Sequence, residues 1–567
     1  VIARALLAVA AAAAPTLLAY NVAPSPTFLN QALAFGLWGL WVAAARPAAA
    51  LTAAGPLLAA LALLMAAAGV SWHNGLPASL ALSAIGLLLA AAVLVAGGAG
   101  ARARPDAEAS FAAFCWALAI TAGCNVVISL LQVFWPDLGD GNWLAASGIP
   151  GRAVGNLRQP NHLSSVLTWG CVAVVGLLEL RRIAALWAAV AVAAMVFAIV
   201  LTASRTGLVS VLLLALWGLA DRRLLRATRA LLLAAPLVYA ASWWGMARWA
   251  AASAHSFGGA ARLAETDISG SRFGIWANTL SLIQQQPWAG VGFGEFNFAW
   301  TLTPFPGRPV AFFDHTHNLP LQLAVELGLP LAAVVMGLLL WALWRSAAAA
   351  WWRQAPAASG GLHAAQRCAV MLVLMIGLHS LLEYPLWYAY FLLPAAWAWG
   401  FALPPRQTAT QPARSSMAVQ AAGLLLTAGA VFSVFDYHRV VVIFTAPEGA
   451  APLAERVASG QRSVFFSHHA DYAAATAGVP SANPQAAFDG ATHYLLDSRL
   501  MMAWSQFLAE QGRTDQASHV AQRLREFKKA DAASWFAECQ DASAAPQCLA
   551  PGRPIGWREL LPAPIKR

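Results

Sequence analysis

The chain alternates long apolar runs with short polar breaks. A run needs roughly 17 to 25 residues to cross the hydrocarbon core, fewer where neighbouring helices cover its ends. About thirteen qualify: Ala5 to Tyr20, Ala32 to Ala45, Leu51 to Val70, Leu80 to Ala99, Phe111 to Trp135, Leu163 to Leu178, Ile183 to Leu201, Gly207 to Ala220, Ala230 to Met246, Leu319 to Trp344, Val370 to Leu382, Leu386 to Leu403 and Met417 to Phe435. The second, eighth and eleventh are short, and an interfacial or re-entrant placement stays open for them. Beyond Asp436 the pattern turns polar. Stretches of helical period, Ser498 to Gln511 and Thr514 to Lys529, are joined by a turn at Gly512. They resemble one helical hairpin of tetratricopeptide type, too little to establish a repeat array. The pattern predicts an all-α polytopic membrane protein with 12–13 transmembrane helices over residues 1–436. It further predicts a long outer loop, 248–317, and a C-terminal helical domain, 437–567.

Composition agrees. Of 567 residues, 59% are hydrophobic and only 11% charged, with mean hydropathy +0.60. Soluble domains carry about 25% charged residues, so a cytosolic enzyme, a disordered chain and a nucleic-acid-binding module are all excluded. The net charge of +10 comes almost wholly from arginine, 32 of the 35 basic residues. Arg-rich short loops stay cytoplasmic, and alternate loops hold Arg4, Arg46, Arg102 with Arg104, Arg181 with Arg182, Arg222 to Arg229, Arg345 to Arg367, and Arg406 with Arg414. The N-terminus is therefore expected inside and the C-terminus outside. Cys539 and Cys548 fall in the outer segment, where a disulfide is chemically permitted. The other four cysteines sit in spans and are expected to be small core residues.

The outer side is poor in charge, so the charges placed there need explaining. Arg205 occupies a connection of about five residues between two apolar runs, at the membrane surface. It is either an interface anchor or a fixed cation for an anionic substrate. Arg272, in Gly270-Ser-Arg-Phe-Gly-Ile-Trp276, precedes a helical-period run in the long outer loop and is otherwise a solvated loop charge. That loop ends in Phe312-Phe-Asp-His-Thr-His-Asn-Leu-Pro320, which gathers Asp314, His315 and His317 at the mouth of the tenth run. Imidazole is the side chain suited to take a proton near neutral pH. The Asp-His-X-His run also invites a metal reading, but no third or fourth ligand cluster accompanies it. Two more clusters face the same side: Gly155-Asn-Leu-Arg-Gln-Pro-Asn-His162 and Glu383-Tyr-Pro385. Helix-end hydrogen bonding is the plain alternative for both. No Asp-X-Asp pair occurs in the outer loops, and there is no Walker loop.

His317-Asn318 followed by Gly328, after a long outer loop and an upstream Ser-Arg-X-Gly, resembles the O-antigen ligase and O-antigen polymerase superfamily. The 155–162 cluster and His379-Ser-Leu-Leu-Glu-Tyr-Pro-Leu-Trp-Tyr388 are more specific. They resemble bacterial protein O-oligosaccharyltransferases of the PglL type, which glycosylate pilins. One departure is that ligase relatives usually carry a second Gly three residues after the first, where this chain has Leu331. The resemblance implies a GT-C-like fold in the bacterial inner membrane and a donor glycan on undecaprenyl diphosphate. It implies an acceptor hydroxyl on a periplasmic, pilin-like protein or on lipid A-core, and no cofactor or metal. It also implies catalytic roles for His317, Arg272 and Arg205, with Gln159, Tyr384, Asn161, Arg158 and Asp314 at the substrates. The rival class, a flippase for lipid-linked sugar, predicts charges near mid-bilayer and repeated halves, neither of which is visible in the sequence.

Overall fold

The computed structural model describes residues 2–253, 255–260, 270–352, 360–404, 415–478, 483–541 and 544–561. Arg262, Arg406, Arg414 and part of the Arg345 to Arg367 loop lie outside the described residues. The chain is 74% helix, and among the described residues there is no strand. Ten described helices are long and apolar enough to cross a bilayer, and three shorter apolar helices, Ile2–Leu17, Arg205–Ala220 and Ala389–Ala402, fill the other expected runs. This is an all-α, multi-pass membrane protein.

The lengths differ from expectation where polar residues find partners inside the protein. The second helix, Phe28–Ala45, has 18 residues rather than being short. It includes Asn30 because that amide donates to the carbonyls of Pro15 and Leu18 at 2.8 and 2.9 Å. The eleventh, Gly360–Ser380, extends over Gln366 and Arg367. Gln366 donates to the Ala402 carbonyl at 2.6 Å, and Arg367 lies 3.1 Å from the Asp221 carboxylate. A buried polar group loses little once its hydrogen bonds are met. The eighth, Arg205–Ala220, is short as expected with 16 residues, and the twelfth is shorter still with 14, starting only at Ala389 because Pro385–Trp387 forms a 3₁₀ turn first.

By internal contacts the chain forms two compact units. The first comprises Val1–Leu61, Leu89–Thr266 and Leu338–Phe432. Helix Pro160–Glu179 is buried along its length and packs against Ala107–Phe134, Ala185–Thr202 and Gly360–Ser380. Helices Ala78–Arg102 and Ala389–Ala402 touch backbone to backbone, and a Cβ on Gly98 would stand 2.0 Å from the Trp397 carbonyl oxygen. Small residues permit that approach, and close packing is what holds helices together in lipid. Cys115, Cys171 and Cys368 are buried in this unit as core residues.

The second unit comprises Ala62–Leu88, Asp267–Gly337 and Ser433–Arg567. Its core joins the short helix Phe296–Leu302 to the helices Ser498–Glu510 and Thr514–Glu526 through Phe298, Trp300, Met501, Trp504, Leu524 and Phe527. The hairpin read from the sequence is present, with its turn at Gly512. Arg308 clamps the segment before Leu319 to the hairpin. It bonds Glu526 at 2.8 Å and lies over the rings of Trp300 and Phe527 at 4.8 and 4.7 Å. Cys539 and Cys548 form a disulfide.

Candidate functional site

Five of the eight residues singled out in the sequence fall in the first unit. Gln159 is the N-cap of helix Pro160–Glu179, and its side-chain oxygen accepts from the His162 N–H at 2.7 Å. Pro160 starts the helix because its missing N–H would have no partner there. Asn161 then faces two other segments. Its Nδ2 donates to Glu383 Oε1 at 3.0 Å, and its Oδ1 accepts from Ser204 Oγ at 2.7 Å. Ser204 is in turn the N-cap of Arg205–Ala220, accepting from the Gly207 N–H at 3.0 Å.

Arg205 is thereby fixed at the first position of its helix. The turn before it is gripped from another side, where buried Arg152 donates to the Thr202 carbonyl at 2.6 Å. Half-buried Arg205 lines a cavity of about 410 Å3 with Ser204, Leu208, Tyr239 and Trp243. A guanidinium, a helix N-terminus and two aromatic rings suit a lipid carrying an anionic head. Tyr384 stacks on Tyr388 with ring centres 6.0 Å apart, and Tyr388 sits edge-on to His162 at 4.7 Å. The Glu383-Tyr-Pro turn is thus brought to the start of the Asn161 helix. Arg158 is spent differently. It adopts left-handed backbone at φ 56° and donates to the carbonyls of Ala19 and Gly141, tying three connecting segments together.

The other three lie in the second unit. Trp276 Nε1 donates to the Thr316 carbonyl at 3.0 Å. Trp276 is four residues beyond Arg272 in helix Gly270–Gln285, so the two share a face about 6 Å apart along the axis. The bond therefore brings the Arg272 helix to the 314–318 segment. Thr316 is fully buried, with its N–H on Gln322 at 2.7 Å and its hydroxyl on the Asn318 carbonyl at 2.8 Å. Those bonds hold His317 in left-handed backbone at φ 55°, its ring edge-on to Phe313 at 5.6 Å. A non-glycine residue there is strained, and such strain clusters at functional sites. Asp314 pairs with His315 at 3.0 Å and is half exposed. Desolvation acts to raise its pKa, but the His315 charge and hydrogen bond outweigh that and hold it at about 2.

Gly328 has a mechanical role. At φ 72° it breaks the long helix Leu319–Trp351, and a Cβ there would lie 2.3 Å from the Trp288 carbonyl oxygen. The loop pairs with the carbonyls freed by that break, Val291 N–H on Val325 and Gly292 N–H on Glu326. Among the described residues no three His, Cys, Asp or Glu side chains gather as a metal set. Ser204, Glu383, Arg152 and Trp276 complete these arrangements and were not assigned from the sequence. Glu383 and Trp276 lay inside stretches already noted, and for Ser204 the signal was its place immediately before a helix-starting Arg205, as an N-cap.

Three family models match the chain. Residues 190–336 match the family described as O-Antigen ligase. Residues 368–540 match the C-terminal region of the virulence factor membrane-bound polymerase, and 153–178 match protein glycosylation ligase. The resemblance drawn from the residues therefore holds across all three regions. The chain is also similar to a general O-oligosaccharyltransferase of Acinetobacter baylyi, 27% identical over 342 residues. That match spans 55% of this chain and 54% of the relative, about half the length of each.

Proposed function

We propose that the chain transfers a glycan from undecaprenyl diphosphate to a Ser or Thr hydroxyl of a periplasmic protein. The reaction takes place at the outer face of the inner membrane, with N-terminus cytoplasmic and C-terminus periplasmic. The observation that carries this reading is Arg205, held at a helix N-terminus in an aromatic-lined cavity. The leaving group is a lipid diphosphate whose negative charge grows as the sugar C1–O bond breaks. Arg205 and Arg272 stabilise that charge more in the transition state than in the ground state. The acceptor oxygen forms the new bond to C1 from the opposite side, inverting the anomeric centre, and its proton passes to His317. Gln159, Asn161, Tyr384 and Asp314 orient the substrates, and Arg158 fixes the loops around them. Residues 1–436 supply the membrane domain, and 437–567 the periplasmic domain that meets a pilin-like acceptor.

The O-Antigen ligase match over 190–336 favours a second reading, with lipid A-core as acceptor. One experiment separates the two. Purified protein with lipid-linked oligosaccharide and EDTA is offered pilin or lipid A-core. Glycosylated pilin is the expected product. Product only on lipid A-core selects the second reading, and product on neither without added divalent metal overturns the metal-free mechanism.

A further inference from the structure

We propose a binding site for an anionic phospholipid at the membrane face opposite Arg205, built by Arg181, Arg182 and Arg226. These arginines line a cavity of about 600 Å3 together with Leu178, Ile183 and Leu225. Helix Ala185–Thr202 starts at this cavity and ends at the turn that delivers Arg205. Its 18 residues span about 27 Å, close to the ~30 Å hydrocarbon thickness.

The backbone is arranged for anion binding. Helix Pro160–Glu179 ends with the Arg181 N–H on Leu178 and the Arg182 N–H on Leu177, at 3.0 and 2.8 Å. This is a Schellman closure, whose left-handed residue is usually glycine. Here it is Arg181, at φ 55°. Arg181 thus puts a guanidinium at the cavity from a place usually held by glycine, and its charge also complements the negative end of helix Pro160–Glu179. Two helices also begin at the cavity, Ala185–Thr202 and Arg226–Ala252. Their N-caps are Ala184 and Leu225, with no side-chain cap and no acidic residue in either first turn. The N–H groups and positive dipole end of helix Ala185–Thr202 complement the three cations, whereas the start of Arg226–Ala252 already holds the Glu179 carboxylate.

Acidic neighbours offset only part of this charge. Glu108 reaches Arg182 at 3.5 Å, with both side chains about half exposed. Glu179 is buried and occupied by the Leu225 N–H and the Thr228 hydroxyl. Arg181 and Arg226 have no acidic partner among the described residues. The choice of a lipid over free phosphate rests on the apolar lining and on Leu186 and Trp187. These follow Ala185 directly and are 69% and 64% exposed. An acyl chain and an interfacial indole use such a surface, whereas inorganic phosphate does not.

The test is native mass spectrometry of the full chain in detergent with added phosphatidylglycerol, phosphatidylcholine or inorganic phosphate. Arg181→Gly removes a cation while relieving the backbone, so a fold defect is not its expected result, and melting temperature checks this. The Arg181→Gly/Arg226→Gln variant should retain phosphatidylglycerol ~10-fold less than the parent. Arg222→Gln, an exposed arginine outside the cavity lining, should retain it fully, and phosphatidylcholine should not be retained. Equal retention by the double variant, an equal loss in Arg222→Gln, or equal retention of phosphatidylcholine overturns the site. Displacement of phosphatidylglycerol by millimolar phosphate overturns the lipid as its occupant.

Discussion

Asn161 and Glu383 are 222 residues apart in sequence and 3.0 Å apart in the fold, joined by one amide-to-carboxylate hydrogen bond. Through its other atom Asn161 accepts from Ser204, so a single side chain couples the Glu383-Tyr-Pro turn to the helix start that presents Arg205. Asn161→Ala withdraws a donor from a largely buried carboxylate, and removing one partner of such a bond costs about 1–3 kcal/mol. Asn161→Asp should be worse, because it sets two carboxylates face to face. Thermal unfolding in detergent should rank parent above Asn161→Ala above Asn161→Asp at pH 7.5. A ranking with Asp at the level of the parent would remove the coupling role.

Arg205 and Arg272 are each proposed to bear on the diphosphate. Loss of one positioned donor to a developing oxyanion typically costs ~100-fold or more in rate. Arg205→Ala and Arg272→Ala should each fall by that order, with Lys restoring only part, since an ammonium lacks the bidentate fork. The check is the initial transfer rate at matched expression. Near-parental turnover in Arg205→Ala would return it to a membrane anchor.

The thirteen apolar runs were legible because lipid demands uninterrupted hydrophobicity, and all thirteen positions are helices. Their ends were less so. Asn30, Gln366 and Arg367 look like loop residues until the carbonyls and carboxylate that satisfy them are known, and those partners lie on other helices. The site divides in the same way. Arg205 stood out as a charge between two apolar runs, and Arg272 and His317 through the loop motifs that hold them. The contacts that fix them, Ser204 to Asn161 and Trp276 to Thr316, join distant segments and leave no local pattern. Gly328 was visible as a motif, but its reason, the Trp288 carbonyl standing where a Cβ would go, exists only in the fold.

Asp471, in helix Ser467–Thr476, offers a pH test. Burial pushes its carboxyl up to about 6, with the Gln461 hydrogen bond opposing. A folded pKa above the unfolded value of about 3.9 means that ionisation is disfavoured in the fold. The penalty is absent below about pH 4, grows between 4 and 6, and is complete above. Asp471→Asn should therefore stabilise this helix by about 1–3 kcal/mol at pH 7.5 and by almost nothing at pH 4. Amide hydrogen exchange of residues 467–476 in the intact protein at the two pH values reads the difference. A gain of equal size at both would refute the assignment.

His317 combines a proposed chemical role with a strained backbone, and the two can be separated by choice of substitution. As the proposed base, His317 takes the acceptor's proton, and Ala, Gly or Asn at 317 cannot do so. His317→Ala, His317→Gly and His317→Asn should all abolish transfer while retaining lipid-linked donor. Their stabilities should differ, because φ 55° is tolerated by Gly and Asn and costs other residues about 1–3 kcal/mol. His317→Gly and His317→Asn should thus melt no lower than the parent, and His317→Val clearly lower. The nearest alternative base is Asp314, held ionised by His315 and half exposed. Product formation and melting temperature are measured on the same preparations, with Asp314→Asn alongside. Inactive but fully stable Gly and Asn variants make His317 chemical rather than structural. Normal transfer by His317→Ala together with an inactive Asp314→Asn would move the base to the carboxylate.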